Sequence, residues 1–176
     1  MRNLRGFVPR ATVTSLDESA NGGCTKQRNA HMFKHLLIPT DGSELSEAAI
    51  QAGVEFARNI NAKVTGFHAM PKFHVIAYGP EIISDTREQF AQDCKAHADR
   101  FLAVIVRAAK AADVPCEIVL QSTDHPYEAI IATAKEKGCD LIMMASHGRR
   151  GIEAFLLGSE TQKVLSHSKI PVLVFR

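Results

Sequence analysis

Five short apolar runs divide this chain, and polar stretches with helical spacing lie between them. The runs are His35 to Pro39, Lys63 to Ala69, Cys116 to Gln121, Asp140 to Ala145 and Ile170 to Phe175. They are rich in Val, Ile and Leu and are bounded by Pro, Gly or Asp, which is the pattern of strands. Their near-continuous apolarity predicts strands covered on both faces, as in a parallel sheet.

The intervening stretches predict four helices. Leu45, Ala48, Ala49, Ala52 and Phe56 form the buried stripe of a first helix that begins near Ser43. Phe90, Cys94, Phe101, Ile105, Ala108 and Ala112 mark a second, which opens near Ser84 or Asp85 with the capping box D-T-R-E, and Pro115 ends it or marks the start of the next strand. A third opens around Asp124 to Pro126, buries Tyr127, Ile130, Ile131 and Ala134, and stops at Gly138. A fourth runs from about Glu160 to Ser166. Met70 to Pro80 is the longest irregular loop of this region. Strands alternating with helices imply right-handed crossovers and an open, doubly wound α/β sheet.

Composition narrows the function classes. A chain of 176 residues is long enough for one domain with a real core. A net charge of +2 leaves no large electrostatic footprint for nucleic acid, and no apolar run approaches a membrane span. Cys24, Cys94, Cys116 and Cys139 form no C-x-x-C pair, which argues against zinc or a redox dithiol and fits a reducing, cytoplasmic setting. Residues 1–31 differ from the rest. They carry Arg2, Arg5, Arg10, Lys26 and Arg28 against Asp17 and Glu18, contain Gly22-Gly23, and show no sustained period. We expect a disordered extension there, or a start placed upstream of a functional Met32, with an Arg-rich targeting arm as the competing reading. The domain proper is expected over 32–176.

The candidate chemistry concentrates in Met144 to Thr161, MASHGRRGIEAFLLGSET. Gly148 and Gly158 flank a loop that follows a strand, and Ser159 with Gln162 reads as a capping box, S-x-x-Q, opening a helix. Bare amides at a helix start, beside glycines that let a ligand approach, form an anion site. Gly148 and Gly158 would expose their N–H groups, and the hydroxyls of Ser159 and Thr161 would add donors. Arg149 and Arg150 suit a phosphate or are solvated loop charges. Glu160 repels a phosphate if turned inward, or favours its helix N-terminus if turned to solvent. There is no G-x-x-x-x-G-K-[ST] and no G-x-G-x-x-G after the first strand, which argues against P-loop phosphotransfer and dinucleotide oxidoreduction. His74, His97 and His125 show no metal-ligand spacing, and His68 is expected to be a satisfied strand-end residue.

This stretch resembles the nucleotide-binding signature of the universal stress protein family, G-x2-G-x9-G-[S/T]. Gly148, Gly158 and Ser159 match it, while Ala145 stands where the first glycine is expected and adds a Cβ that would crowd ribose or phosphate. FKHLLIPTDGSELSEAA is similar to the family's first strand and helix, and KIPVLVFR to its last strand. The resemblance implies a sheet in the order 3-2-1-4-5, whose switch point lies between the first and fourth strands. Pro39-Thr40-Asp41-Gly42 and Ala145-Ser146-His147-Gly148 would meet there. It implies ATP, AMP or ADP as ligand, with magnesium, and no flavin, haem or zinc. Pro39, Thr40 and Ala69 would shape the adenine pocket. Asp41 would accept from adenine or ribose, or act as a helix cap with Glu44. Met144 would touch adenine or belong to the core, and His147 would make a backbone contact or be a simple loop histidine. The implied role is a stress-response regulator or sensor and not an efficient enzyme. The alternative is a member that has lost nucleotide binding and works through protein contacts alone. The last strand, Ile170 to Phe175, would be a sheet edge through which two copies pair, with no nucleic-acid or membrane partner.

Overall fold

Apolar residues run without a break through β1 (His35–Pro39) because this strand lies at the centre of the sheet, buried on both faces up to its last residue. After it come α1 (Glu44–Asn59), β2 (Lys63–Met70), α2 (Ser84–Ala111), β3 (Cys116–Ser122), α3 (Pro126–Lys137), β4 (Leu141–Ala145), α4 (Ser159–His167) and β5 (Val172–Phe175). The computed structural model describes residues 32–73, 84–148 and 157–176. The expected N-terminal extension, most of the loop from Met70 to Pro80, and Arg149 and Arg150 lie outside the described residues. All strand pairs are parallel and the order is β3-β2-β1-β4-β5, the one the family resemblance implied.

The period of two along the strands sorts the core into two layers. Leu36, Ile38 and Val64 pack with Ile50 and Val54 of α1 and Leu102 and Ile105 of α2. Leu37, Phe67, Ile142 and Met144 pack with Ile130 and Ala134 of α3 and Val164 of α4. Gly138 closes α3 in the left-handed conformation, as its position predicted.

Burial on both faces holds for β1 and β4 but not at the sheet edges. Ile118 of β3 is 50% exposed and Leu173 of β5 is 42% exposed, because an edge strand has a neighbour on one side only and the helices cover the middle of the sheet. Two strands also start later than their apolar runs. Asp140 precedes β4 because its carboxylate accepts from the backbone N–H groups of Lys34 (2.8 Å) and His35 (3.0 Å), clamping the start of β1. Ile170 precedes β5 because its amide and carbonyl are both bonded to the Ser168 hydroxyl, at 3.0 and 2.8 Å. At this same amino edge His35 is buried, with Nε2 at 2.7 Å from the Thr65 hydroxyl. Thr65 donates to Glu117 at 3.0 Å, and Lys137 pairs with the other Glu117 oxygen at 3.0 Å. Among the described residues no helix is long and apolar enough to cross a membrane.

Candidate functional site

At the carboxyl edge, β1 and β4 part. The amide of Thr40 faces β2, donating to the Phe67 carbonyl at 2.9 Å. Backbone amides alternate sides along a strand, so position 39 faces β4, and there proline has no N–H to give. Pairing of β1 with β4 covers Leu36 with Leu141 and Leu37 with Ile142, whereas pairing with β2 continues to Pro39 opposite Phe67. The β1–β4 ladder thus stops short of the two strand tips, at the topological switch point, where ligands bind in open α/β sheets.

The loop leaving β1 is rigidly braced. Gly42 has φ +74, and a Cβ at this position would run into the Phe101 ring of α2. Its N–H donates to the Thr40 hydroxyl oxygen at 3.1 Å, which also accepts from Ser46 Oγ at 2.8 Å. The Thr40 carbonyl accepts from His68 Nδ1 at 2.7 Å, and the His68 ring stands edge-on to Phe101. Thr40 is therefore buried and committed to the loop, and His68 is the satisfied strand-end residue expected. The cap of α1 is Ser43, whose side chain accepts from the Ser46 N–H. This corrects the reading of Asp41 as a cap with Glu44. Asp41 lies too far upstream to reach the first-turn amides, and its Oδ1 instead accepts from Ser43 N–H (3.1 Å) and Ser43 Oγ (2.7 Å).

The loop leaving β4 comes up against Asp41. A Cβ on Gly148 would collide with Asp41 Oδ2 and sit 3.0 Å from its Cγ, so the carboxylate rests on the bare face of this glycine. The Gly158 N–H donates to the Ser146 carbonyl at 2.8 Å, and a Cβ there would lie 3.1 Å from His147 Cα. His147 has Nδ1 at 3.1 Å from the Ser146 hydroxyl. The two predicted loops thus converge, with the start of α4 packed behind them.

Three expectations about α4 are corrected. Its N-cap is Gly158, without a side-chain cap bond, so Ser159 is the first helical residue and the S-x-x-Q box does not form. The tie from Gly158 to Ser146 starts the helix one residue early and leaves the Ser159 side chain exposed. Thr161 is buried and gives its hydroxyl proton to the Ala145 carbonyl at 3.0 Å, so it has none to offer a phosphate. Glu160 turns neither inward nor to solvent. Its Oε2 accepts from the backbone N–H of Tyr127 in α3 at 2.9 Å, and its Oε1 from Lys163 at 2.7 Å, which holds the Lys163 ammonium above its usual range. Met144 belongs to the core, packed with Leu37, Phe67 and Val164, while Ala69 lies partly exposed against the same layer. Ala145 is buried and Pro39 half-buried. The sequence reading did not foresee Phe101 wedged against Gly42, nor Pro39 ending the ladder. A proline closing an apolar run was the available signal for the second.

Comparison with known proteins identifies the family and agrees with the fold. The sequence model of the Universal stress protein family matches residues 32–176. The chain is 30% identical to Universal stress protein YxiE of Bacillus subtilis over 152 residues, which cover 82% of this chain and all of that protein. Among solved structures it resembles MJ0577 of Methanocaldococcus jannaschii, with a TM-score of 0.67, 24% identity, and coverage of 82% of this chain and 96% of that one. It also resembles a universal stress protein solved in complex with cAMP, with a TM-score of 0.58, 24% identity, and coverage of 82% and 97%.

Proposed function

The chain belongs to the universal stress protein family, and on that premise we propose that it binds an adenine nucleotide in the crevice between β1 and β4 and acts as a nucleotide-dependent regulator. The observation that carries this reading is the Asp41 carboxylate seated on the bare backbone of Gly148, across the switch point from its own strand. A carboxylate there is an acceptor for ribose hydroxyls or the adenine amino group. The first turn of α4, whose N-cap Gly158 brings no side chain, together with the Ser159 hydroxyl offers N–H and O–H donors at the positive end of a helix dipole to a phosphate. The family relative solved with cAMP carries the same three chemical parts, an adenine, a ribose and a phosphate. Where ATP is the guest, magnesium accompanies its phosphates. The role is binding and signalling and not efficient turnover.

The competing reading, a member that works through protein contacts alone, drew on Ala145 and Glu160. Glu160 is bonded to α3 and Lys163, so its remaining support is the Ala145 methyl.

Calorimetry with ATP, AMP and cAMP tests the proposal. A dissociation constant on the order of micromolar is expected for at least one of them. Gly148→Ala, whose Cβ must displace the Asp41 carboxylate, is expected to weaken binding by about tenfold or more while the melting temperature stays close to the parent's. No binding of any of the three at millimolar concentration overturns the reading.

A further inference from the structure

We infer that Glu160 is a positioning residue for the nucleotide site, capping α3 from the neighbouring helix and thereby holding the first turn of α4 against the crevice. This rests on the nucleotide-binding reading above and deepens it. The N-terminus of α3 lacks a cap of its own. His125 at the N-cap makes no side-chain cap bond, and Pro126 at the first position has no N–H. The first amide the helix must satisfy is that of Tyr127, and the Glu160 carboxylate accepts it at 2.9 Å.

The topology explains why an acid stands there. Every helix of a parallel sheet begins at the carboxyl edge, so α3 and α4 start side by side with their positive ends together. A carboxylate between them relieves that repulsion. Lys163, one turn along α4, pairs with it at 2.7 Å and lies over the Tyr127 ring, 5.4 Å from its centroid. The pair is close to neutral, so an incoming phosphate does not face an uncompensated negative charge. The start of α4 is then fixed at three points. Gly158 and Thr161 tie it to β4 through the Ser146 and Ala145 carbonyls, and Glu160 ties it sideways to α3. Two ties to one strand still allow the turn to swing about that strand, and the third removes this freedom. Donors that must meet phosphate oxygens within a few tenths of an ångström depend on such support.

This assignment has the opposite sign from the plain charge argument. If Glu160 acted as a like charge near the phosphate, removing it would tighten binding. If it positions α4, removing it weakens binding. In the full chain, Glu160→Ala is expected to lower affinity for ATP or cAMP about tenfold, the order of a lost charge-assisted hydrogen bond. Glu160→Gln keeps an acceptor for the Tyr127 amide and should recover most of that loss. Tyr127→Pro removes the amide and should resemble Glu160→Ala, while Tyr127→Ala keeps the amide and isolates the contribution of the ring. Tighter or unchanged binding in Glu160→Ala overturns the assignment. A second readout needs no nucleotide. Amide hydrogen exchange at Gly158 and Gln162, whose N–H groups are bonded to the Ser146 and Gly158 carbonyls, should accelerate in Glu160→Ala and return towards the parent rate in Glu160→Gln. Unchanged exchange overturns the positioning role even where the parent binds no nucleotide, so the two readings fail separately.

Discussion

A single proton sets the behaviour of the buried cluster around His35. Thr65 has one hydroxyl proton, and its oxygen lies 2.7 Å from His35 Nε2 and 3.0 Å from Glu117 Oε1. Thr65 donates to the Glu117 carboxylate, and the His35 ring is held between the Thr65 oxygen and the Lys137 backbone. Burial holds the His35 imidazole below its ordinary value, aided by Lys63, and the opposing pull of Glu117 and Asp140 does not reverse this. The folded chain therefore takes up a proton at His35 less readily than the unfolded chain does. Stability from this residue is complete above the unfolded value of 6.5 and declines as pH falls below it. Glu117 is shifted down by Lys137 and Thr65, so its contribution is lost only at lower pH, below its ordinary 4.5. A urea midpoint that drops between pH 7 and pH 5 in the parent, and much less in His35→Gln, is the expected result. The same scale shows what sequence can reveal about a site. Asp41 and Gly148 were legible because a carboxylate and a bare backbone meet through their presence in two loops. Gly158 was not read correctly, because its N–H is given to the Ser146 carbonyl at 2.8 Å and is not exposed as expected. Thr161 and Glu160 were not, because their roles depend on where the side chain turns, and their partners Ala145 and Tyr127 lie 16 and 33 residues away.

At the scale of elements, periodicity located the strands closely because a strand buried on both faces has little choice of residue type. It was less accurate at strand starts, where Asp140 and Ile170 are drawn into side-chain hydrogen bonds that an apolar run cannot announce. Capping boxes misled for a related reason. The D-G-S-E and S-x-x-Q patterns each allow more than one cap, and the local bonds of Ser43 and the tie of Gly158 to Ser146 chose between them. Pro39 offers a test of how the crevice is kept open. Pro39→Ala supplies an amide facing β4. A new ladder bond would contribute about 1 kcal/mol, while the extra freedom of the unfolded chain costs about 0.4–1 kcal/mol. Stability should change little, and nucleotide affinity should fall several-fold as the strand tips draw together. A denaturation midpoint and a calorimetric titration on the same variant read the two quantities, and unchanged affinity would remove Pro39 from the account of the site.

For the whole molecule, the two sheet edges are not equivalent. The β3 edge is guarded by the Glu117–Lys137 ion pair at 3.0 Å and by exposed Gln121 and Ser122. The β5 edge reads Val-Leu-Val-Phe and leaves Leu173 42% exposed. Charged side chains on an edge discourage pairing with another chain, and an apolar edge invites it. If two copies pair through β5, light scattering should report a dimer in the parent and in Ile118→Lys, and a monomer in Leu173→Lys. A parent that stays monomeric at high concentration would exclude this contact.

The strand order also has a consequence for how the chain is made. β1 becomes the middle of the finished sheet, yet it emerges early, and its second neighbour is β4. Lys34 waits for Asp140, 106 residues later, which at common translation speeds is roughly 5–20 s. During that interval a strand whose Leu36, Leu37 and Ile38 are fully buried in the finished fold is a bare margin on a growing polypeptide. A nascent chain halted before β4 is therefore the form most in need of a chaperone, since the strand that covers this margin has yet to be synthesised.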